Sequence, residues 1–317
     1  MTQLPVSPAW ELSAAPQTLR WLIEDLWSLH AVGIVGGEPK CCKSFLALEM
    51  AVAVASGTPC LRRFPVPHPG RVLLYCAEDS LHIVRSRLEG ICYASGLSLQ
   101  AVDLHVITAP SLRLDLAGDQ QRLCETLDSL RPTLLVLDPF VRLHRIDENS
   151  SGEVAPVLAY LRELQRRFQL SLVLVHHAKK GGSHLRAGQA LRGSSEFHAW
   201  GDSNLYLRRS DQAITLTSEH RAAPSGPCLS LTLHSEGPHL ALQLLESSAA
   251  AVAPPQNAPA SPSAKIEQAL AQSPTPLPLL QLRQACRMRN SALCATLSDL
   301  QRAGRVEKTP SGYQLTL

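Results

Sequence analysis

The sequence has no stretch suited to crossing or entering a membrane. Its apolar runs fall short of the roughly 20 residues that a helix needs to span a bilayer. The opening residues, MTQLPVSPAWELSAAPQ, show no basic region followed by an apolar one, which is the pattern of a secretory signal. We therefore expect a cytoplasmic protein that has no membrane partner.

Cysteine pairs with the spacing of a metal site are also missing. The nine cysteines form no C-x-x-C motif, and several of them lie inside apolar strand or helix patterns. This distribution predicts reduced thiols in a cytosolic protein. A strong overall charge is absent too, because the formal net charge is only +3. The basic charge is concentrated at the C-terminal end, where seven Lys or Arg residues stand against three acids between positions 264 and 317.

One run of low complexity divides the chain. The segment SSAAAVAPPQNAPASPSA, residues 247–264, is rich in Ala, Pro and Ser and has no periodicity. Such a composition is typical of a semi-extended linker. We therefore predict a main domain at residues 1–246, a linker at 247–263 and a small C-terminal domain at 264–317.

The main domain alternates short apolar segments with longer helical patterns. Strands that are apolar on both faces and separated by helices predict an α/β fold with a mainly parallel sheet. The predicted core strands are 32–35, 71–76, 104–107, 133–138 and 170–175, and the helices between them are 43–56, 80–95, 120–130 and 152–168. Four later segments are expected to form antiparallel or edge strands: 204–208, 213–217, 229–233 and 240–244.

The pattern of the C-terminal domain predicts three short helices followed by two short strands around a Pro-Ser-Gly turn. Leu293, Leu297 and Leu300 form an apolar stripe on the third helix, which has Asn290 or Ser291 as its predicted N-cap. Three helices and a hairpin in this order indicate a winged helix-turn-helix domain.

The segment GGEPKCCKS nearly matches the phosphate-binding loop G-x-x-x-x-G-K-[ST]. Gly37, Lys43 and Ser44 have the required spacing, but Cys42 replaces the second glycine. A strand before the loop and a helix after it let backbone N–H groups converge on phosphates. Lys43 would reach the β- and γ-phosphates, and the Ser44 hydroxyl would bind Mg²⁺. The predicted ATP-binding residues are Gly37, Glu38, Pro39, Lys40, Cys41, Cys42, Lys43, Ser44 and Phe45.

Polar groups follow three further predicted strands. Asp138 ends TLLVLDPF and is the candidate Mg²⁺ ligand, together with Ser44. Glu78 ends RVLLYCAED, where a carboxylate would orient and deprotonate the attacking water. His177 ends LSLVLVHHAKK and would sense the γ-phosphate. Because the carboxyl ends of parallel strands form the ligand-binding edge of such sheets, these residues predict a site for ATP and Mg²⁺.

Cys42 leaves two interpretations open. Cysteine is small, and its charged partners Lys43, Ser44, Glu78 and Asp138 are all present, so we favour a working ATP site. The alternative is a pseudo-ATPase scaffold. A helix N-terminus lowers the pKa of a thiol, so oxidation of Cys42 that blocks ATP is a further hypothesis, against simple tolerance of a small residue.

The stretches RWLIEDLWSLHAVGIVGGEPKCCKSFLALEMAVAVASGTP, VLLYCAEDS, LLVLDP and VLVHHAKKGG resemble the RecA-like ATPases related to the plasmid replicative helicase RepA, over residues 19–224. The resemblance implies a RecA-type core, ATP hydrolysis, and a homo-oligomer, expected to be a hexameric ring, with sites between subunits. It gives catalytic roles to Lys43, to Glu78 as the base, and to His177, which would couple the γ-phosphate to DNA-facing loops.

The same resemblance suggests a residue that acts on the neighbouring subunit. Hexameric helicases of this class carry K-x-R at a strand end, and TLTSEHRAAP resembles that pattern. Arg221 is therefore the candidate arginine finger, with Arg208 as a weaker one. Glu219 replaces the lysine of the pattern, which is a departure from the family.

Two basic regions are candidates for binding DNA. The segment at 178–195 contains Lys179, Lys180, Arg186 and Arg192, no acid and no aromatic residue, so we expect contacts with the phosphates of single-stranded DNA. The alternative is a solvated surface loop. A second loop, RLHRIDENSSGE at 142–153, is also expected to face the DNA channel at the centre of the ring.

The C-terminal domain carries the other basic region. Its predicted contacts with the phosphates of duplex DNA are Arg287, Arg289, Arg302, Arg305 and Lys308. A protein-interaction module is the alternative for this domain. The whole chain is thus predicted to be a helicase or DNA translocase. An ATP-gated DNA-binding regulator, or a mobile-element or replication accessory protein without unwinding activity, is the alternative.

Overall fold

The computed structural model describes residues 6–11, 20–177, 196–210, 213–245, 262–273, 275–286 and 290–316. The chain divides into two compact units, Met1–Ser247 and Ser248–Leu317. Most of the predicted linker lies outside the described residues. Within them, no helix combines the length and the apolar character that a membrane crossing requires.

A nine-stranded sheet forms the centre of the first unit, in the order β11-β10-β9-β8-β3-β7-β6-β4-β5. The neighbours from β8 to β5 are parallel, and β9, β10 and β11 add antiparallel strands at the β8 side. The predicted, mainly parallel α/β fold is therefore confirmed. The strands are β3 (Val32–Gly37), β4 (Val72–Cys76), β5 (Leu104–Val106), β6 (Leu134–Asp138), β7 (Ser171–His177), β8 (Ser203–Arg209), β9 (Ile214–His220), β10 (Leu229–Glu236) and β11 (His239–Leu244).

Helices cover both faces of this sheet. They are α1 (Lys43–Ser56), α2 (Leu81–Ala94), α3 (Ala117–Leu130), α4 (Ser151–Phe168) and the short α5 (Glu196–Trp200). Successive residues of a strand point to opposite faces, so Ile34 belongs to the core beneath α3 and α4, whereas Val35 belongs to the core beneath α1 and α2. This two-sided burial explains the continuous apolar runs of the core strands.

The antiparallel end of the sheet packs onto α2. A Cβ at Gly90 of α2 would lie 2.7 Å from the backbone oxygen of Leu240 in β11, so a glycine at this position allows the close approach. Tyr93 of the same helix stacks on His239, with ring centroids 4.4 Å apart. The strands that follow β8 therefore complete the core around α1 and α2.

A short hairpin precedes the sheet, and the sequence patterns did not indicate it. It consists of β1 (Trp21–Ile23) and β2 (Trp27–Ser28). Segments of two or three residues are too short to display an alternation of apolar and polar residues. Trp27 is fully buried and donates a hydrogen bond from its indole nitrogen to the carbonyl of Ala31.

The second unit has three helices and a hairpin. The helices are α6 (Pro262–Ala271), α7 (Leu279–Cys286) and α8 (Asn290–Arg302), and the strands are β12 (Val306–Thr309) and β13 (Gly312–Leu315). The predicted stripe of Leu293, Leu297 and Leu300 is buried in a separate apolar core. The hairpin is antiparallel, and its tight end pairs Thr309 with Gly312.

Candidate nucleotide-binding site

The predicted phosphate-binding loop connects the end of β3 to the start of α1. Gly37 closes the strand, and a Cβ at this residue would lie 2.3 Å from the backbone oxygen of Leu207 and 2.7 Å from Sγ of Cys41. Only glycine fits between these atoms, because backbone cannot give way as a flexible side chain can. The loop then turns so that the first residue of α1 is Lys43.

Cys42, which replaces the consensus glycine, has a backbone conformation that favours glycine. It caps α1 with φ of 67° and ψ of 28°, in the left-handed region. An L-residue is disfavoured there by roughly 1–2 kcal/mol. Lys40, two residues earlier, is also left-handed, with φ of 63°. The chain therefore keeps the loop geometry and accepts backbone strain at the position where a glycine is missing.

The Lys43 side chain lies along the inside of the loop. It is buried, and its Nζ donates a hydrogen bond to the carbonyl oxygen of Glu38 at 2.8 Å. Burial lowers the pKa of Lys43, while the nearby carboxylates of Asp138 and Glu78 raise it. An amine held in this way faces the position that the predicted phosphates would take.

Asp138 is the most deeply buried carboxylate of the site, with 5% of the residue exposed. Burial raises its pKa to about 6, a hydrogen bond from the Ser44 hydroxyl lowers it, and the charges of Asp79 and Glu78 raise it further. A buried carboxylate surrounded by other acids favours a cation. Ser44 and Asp138 are adjacent and supply the oxygen ligands that Mg²⁺ prefers, so this pair fits the ion.

No cluster of three or more His, Cys, Asp or Glu side chains that would hold a metal ion occurs among the described residues. This arrangement is compatible with Mg²⁺, which commonly binds through one or two protein oxygens, phosphate oxygens and water. Mg²⁺ held by Ser44 and Asp138 would take further ligands from phosphate oxygens and water.

The structure brings most of the predicted ATP site into one cleft of about 330 Å³. Gly37, Glu38 and Pro39 do not line it directly, although Gly37 and Glu38 shape the loop beneath. The predicted residues that line the cleft are Lys40, Cys41, Cys42, Lys43, Ser44, Phe45, Glu78, Asp138 and His177.

Glu78, the predicted base, lies at the mouth of this cleft. Its side chain is 42% exposed and pairs with Arg142, whose Nε donates to the carboxylate at 3.0 Å. Arg142 follows β6 by four residues and belongs to the predicted second DNA-facing loop. The carboxylate is therefore engaged by that loop.

Two arginines of the cleft region were not predicted. Arg87 of α2 lines the cleft, pairs with Asp79 at 2.5 Å and lies 5.1 Å from the ring centroid of Phe45. Arg209, the last residue of β8, donates to the carbonyl of Lys40 at 3.0 Å. Arg87 lies on a helix that the sequence predicted directly after Asp79, which was a usable signal. Arg209 depends on the pairing of β8 with β3, which the sequence does not reveal.

The expectation that the helix N-terminus lowers the pKa of Cys42 is wrong. Burial raises the pKa of its thiol, although Arg209, Arg87 and Lys43 act in the opposite direction. Burial also raises the pKa of Cys41. Desolvation of the thiolate therefore outweighs the positive surroundings and disfavours the thiolate form in this loop.

The candidate finger Arg221 lies far from the cleft of its own chain. β9 runs antiparallel to β8, and Ser203 of β8 pairs with His220 of β9, so Arg221 is at the end of the sheet where β3 begins. Its Nη1 pairs with Asp202 at 3.1 Å. Glu219, at the position of the family lysine, pairs with His198 at 3.1 Å. Arg208, the weaker candidate, is exposed on β8.

The predicted DNA contacts are described only in part. Lys179, Lys180, Arg186, Arg192, Arg287 and Arg289 lie outside the described residues. Arg302 pairs with Asp299 at 2.9 Å, and Arg305 pairs with Glu267 at 2.9 Å. Nζ of Lys308 is 5.9 Å from the ring centroid of Tyr313. Both arginines thus have acidic neighbours. The spacing of Asp299 and Arg302 on the predicted third helix indicated the first pair, whereas the sequence did not indicate the second.

Comparison with known proteins places the main unit in a family. Residues 2–183 match the model of the AAA_25 family, described as an AAA domain. The DNA repair protein RadA of Haemophilus influenzae is 25% identical over 154 residues, which are 47% of this chain and 28% of RadA. The chain therefore spans little more than a quarter of that relative's length.

Solved structures show the same fold at low identity. A solved ATPase domain of another protein superposes with a TM-score of 0.52 at 13% sequence identity, and the match covers 67% of this chain and 84% of that domain. A DnaB-like replicative helicase, described with its interactions with primase, has a TM-score of 0.52 at 13% sequence identity. That match covers 67% of this chain and 59% of the helicase chain. The RadB recombinase has a TM-score of 0.50 at 16% sequence identity, and the match covers 68% of this chain and 91% of the RadB chain.

The likeness to these solved structures, at 13–16% identity, concerns the fold alone. The family match covers more than half of the chain. It includes the loop that ends at Ser44, the acids Glu78 and Asp138, and His177. The protein therefore belongs to the AAA_25 family of AAA domains and is an ATPase with a RecA-like P-loop core.

Proposed function

We propose that the protein is a DNA-coupled motor ATPase that hydrolyses Mg²⁺-ATP between copies of itself, as a helicase or translocase of the RepA type. The observation that carries this proposal is the position of His177. It lines the nucleotide cleft and is followed at once by the basic segment 178–195. A strand end that contacts the nucleotide and continues into a basic segment can couple ATP hydrolysis in the cleft to DNA binding by that segment.

The cleft residues would divide the chemistry among them. Lys43 would hold the β- and γ-phosphates, and the backbone N–H groups of Glu38 and of residues 40–44 would cradle them at the start of α1. Ser44 and Asp138 would hold Mg²⁺, which neutralises phosphate charge in the reaction. Glu78 would orient a water molecule and accept its proton, once its carboxylate is released from Arg142.

Arg221 would complete the site of a neighbouring copy. The strand β3 is about 16 Å long, with the phosphate-binding loop at its end and Arg221 near its beginning. The guanidinium therefore serves another subunit's cleft more readily than its own. An arginine that acts from a neighbour at every site fits a head-to-tail assembly, which is either a closed ring or an open filament. We propose the closed form, as the hexameric ring of the RepA-type helicases.

DNA would be held mainly through its phosphates. Lys179, Lys180, Arg186 and Arg192 would contact single-stranded DNA in the centre of the ring. We propose that residues 264–317 form a winged-helix domain, joined to the ATPase domain at 1–246 by the linker at 247–263. Five basic residues of this domain would contact duplex phosphates: Arg287, Arg289, Arg302, Arg305 and Lys308.

The names of the relatives support a role on DNA. They include a DNA repair protein, a recombinase and a replicative helicase. One observation favours the alternative, an ATP-gated DNA-binding regulator or accessory protein without unwinding. Glu219 stands at the position of the family lysine and pairs with His198 of its own chain, so the transmission of force between subunits would differ.

ATP turnover by the full chain, with and without single-stranded DNA, tests the proposal. We expect turnover that rises with DNA and disappears in Lys43→Ala, followed by strand displacement on a forked duplex. Turnover without displacement would favour the regulator. Turnover that appears only in Cys42→Gly would instead identify the cysteine as a brake on the wild-type site.

A further inference from the structure

Arg221 is held in place by a carboxylate that is itself fixed from several sides. Asp202 forms an ion pair with Nη1 of Arg221 at 3.1 Å and accepts a hydrogen bond from the backbone N–H of Val32, the first residue of β3, at 3.3 Å. Both terminal nitrogens of Arg162 in α4 also donate to it, Nη2 at 3.2 Å. The carboxylate therefore joins α4, β3 and the end of β9.

Two further bonds fix the orientation of Arg221. Its Nη2 donates to the carbonyl of Ala199 in α5 at 2.6 Å, and its backbone N–H donates to the carbonyl of Asp202 at 2.8 Å. The residue is thus fixed by its backbone and by both terminal nitrogens. An arginine side chain that is not held in this way loses much of its rotamer freedom when it binds.

The charges leave Arg221 as the cation that faces outward. Two guanidinium groups share one carboxylate, so the group of three carries a net positive charge. The Arg162 side chain is 19% exposed and lies 5.8 Å from the ring centroid of Trp200, whereas the Arg221 side chain is 58% exposed. The positive charge that remains is therefore presented to solvent mainly by Arg221.

We propose that Asp202 is a positioning residue that holds the guanidinium of Arg221 in the orientation presented to the nucleotide of a neighbouring copy. This inference rests on the proposed interfacial ATPase. Because the bonds already exist in the single chain, the finger is ordered before the subunits meet. Asp202 contacts neither nucleotide nor water of the reaction and acts only through Arg221.

Loss of the Asp202 charge should slow turnover without weakening nucleotide binding. Removal of a finger costs about 10³-fold or more, and a finger that is present but poorly oriented should cost less. We expect kcat of Asp202→Asn to fall about tenfold with an unchanged KM for ATP. Asp202→Glu keeps the charge but displaces the carboxylate by one methylene, and we expect a similar fall.

Mixed oligomers separate positioning from a structural role. A Lys43→Ala subunit has an intact Arg221 but an inactive cleft. In a mixture with Asp202→Asn, some interfaces join the cleft of an Asp202→Asn subunit to Arg221 of a Lys43→Ala subunit. Turnover at those interfaces should return to the wild-type rate. Mixing Arg221→Ala with Asp202→Asn should restore nothing. If Lys43→Ala fails to rescue Asp202→Asn, the substitution has damaged its own cleft and the positioning role is overturned.

The same series tests the proposed function separately. Lys43→Ala mixed with Arg221→Ala should regain turnover, and failure of this mixture would overturn the interfacial site together with the role of Asp202. If that mixture regains turnover but Asp202→Asn and Asp202→Glu turn over as fast as wild type or faster, the inference about Asp202 alone is wrong. Asp103→Asn, which removes an exposed carboxylate paired with Arg71 at 3.1 Å, is the control and should behave as wild type.

Discussion

Arg142 donates from Nε to the carboxylate of Glu78 at 3.0 Å and thereby joins the loop after β6 to the predicted base of the ATPase. The two side chains are 62% and 42% exposed, so solvent screens the pair. A pair of this kind contributes up to about 1 kcal/mol. The contact is therefore strong enough to bias the base and weak enough to be broken by a ligand of the loop.

Arg142→Gln should release Glu78 and raise DNA-independent ATP turnover. A contribution of at most about 1 kcal/mol corresponds to an increase of about fivefold or less. The measurement is steady-state turnover without DNA. Arg145→Gln is the control, because it removes a charge from the same loop and leaves the pair with Glu78 intact. Equal turnover in all three proteins would show that the pair does not restrain the base.

Cys42→Gly should stabilise the fold slightly. The left-handed backbone of Cys42 costs roughly 1–2 kcal/mol that glycine does not incur. Glycine also lowers the free energy of unfolding by about 0.5–1 kcal/mol, because it gives the unfolded chain greater conformational freedom. The net gain in the free energy of unfolding is therefore about 1 kcal/mol or less, as measured by urea denaturation without nucleotide.

Cys42→Ala is the matched variant for that measurement. It keeps a Cβ in the left-handed conformation, so its stability should stay close to that of wild type. A lower stability in Cys42→Gly than in Cys42→Ala would mean that contacts of the sulfur, and not the backbone, decide the preference at this position.

Glu49→Gln should change how stability depends on pH. Glu49 of α1 is 3% exposed and pairs with Arg62 at 2.8 Å. Burial raises its pKa from 4.5 to about 7, although Arg62 lowers it. The folded state therefore binds the proton more tightly than the unfolded state, and this contribution to stability is complete below pH 4.5 and is lost as the pH rises through 7.

The substitution removes that loss. Relative to wild type, Glu49→Gln should gain up to about 3 kcal/mol in the free energy of unfolding between about pH 5 and pH 8. Arg62 keeps a partner, because it also donates to the carbonyl of Leu242. Denaturation curves at the two pH values test this, with Glu89→Gln on the surface of α2 as the control. Parallel curves for Glu49→Gln and wild type would contradict the prediction.

The sequence predicted the features of this fold that depend on local periodicity. The parallel strands and their helices were placed within a few residues, because strands such as Leu134–Asp138 are apolar on both faces and end in a single acid. The same logic predicted that Lys43, Glu78, Asp138 and His177 would meet, since all lie at the carboxyl edge.

Features that depend on distant pairing were not predictable. Arg209 reaches the loop only because β8 lies next to β3, and the pair Arg142–Glu78 joins segments that are 64 residues apart. The pKa of Cys42 was predicted in the wrong direction, because the helix N-terminus is visible in sequence and the burial of the thiol is not. Local charge patterns therefore indicated where the site lies but not what surrounds each group.

Gly90 and Gly118 should respond oppositely to alanine, although both lie in helices. Alanine is favoured over glycine by about 1 kcal/mol inside a helix. At Gly118 of α3 an added Cβ meets no atom within 4 Å, so Gly118→Ala should raise the free energy of unfolding by up to that amount. At Gly90 the Cβ would lie 2.7 Å from the oxygen and 2.8 Å from the nitrogen of Leu240, and both are backbone atoms.

Gly90→Ala should therefore force α2 away from β11 and lower the free energy of unfolding by about 1–3 kcal/mol, the usual cost of overpacking. Urea denaturation of the two variants beside wild type measures the contrast. If Gly90→Ala were as stable as Gly118→Ala, the close packing of α2 on β11 would not exist in solution. The antiparallel strands would then contribute less to the core around the P-loop helix than the structure indicates.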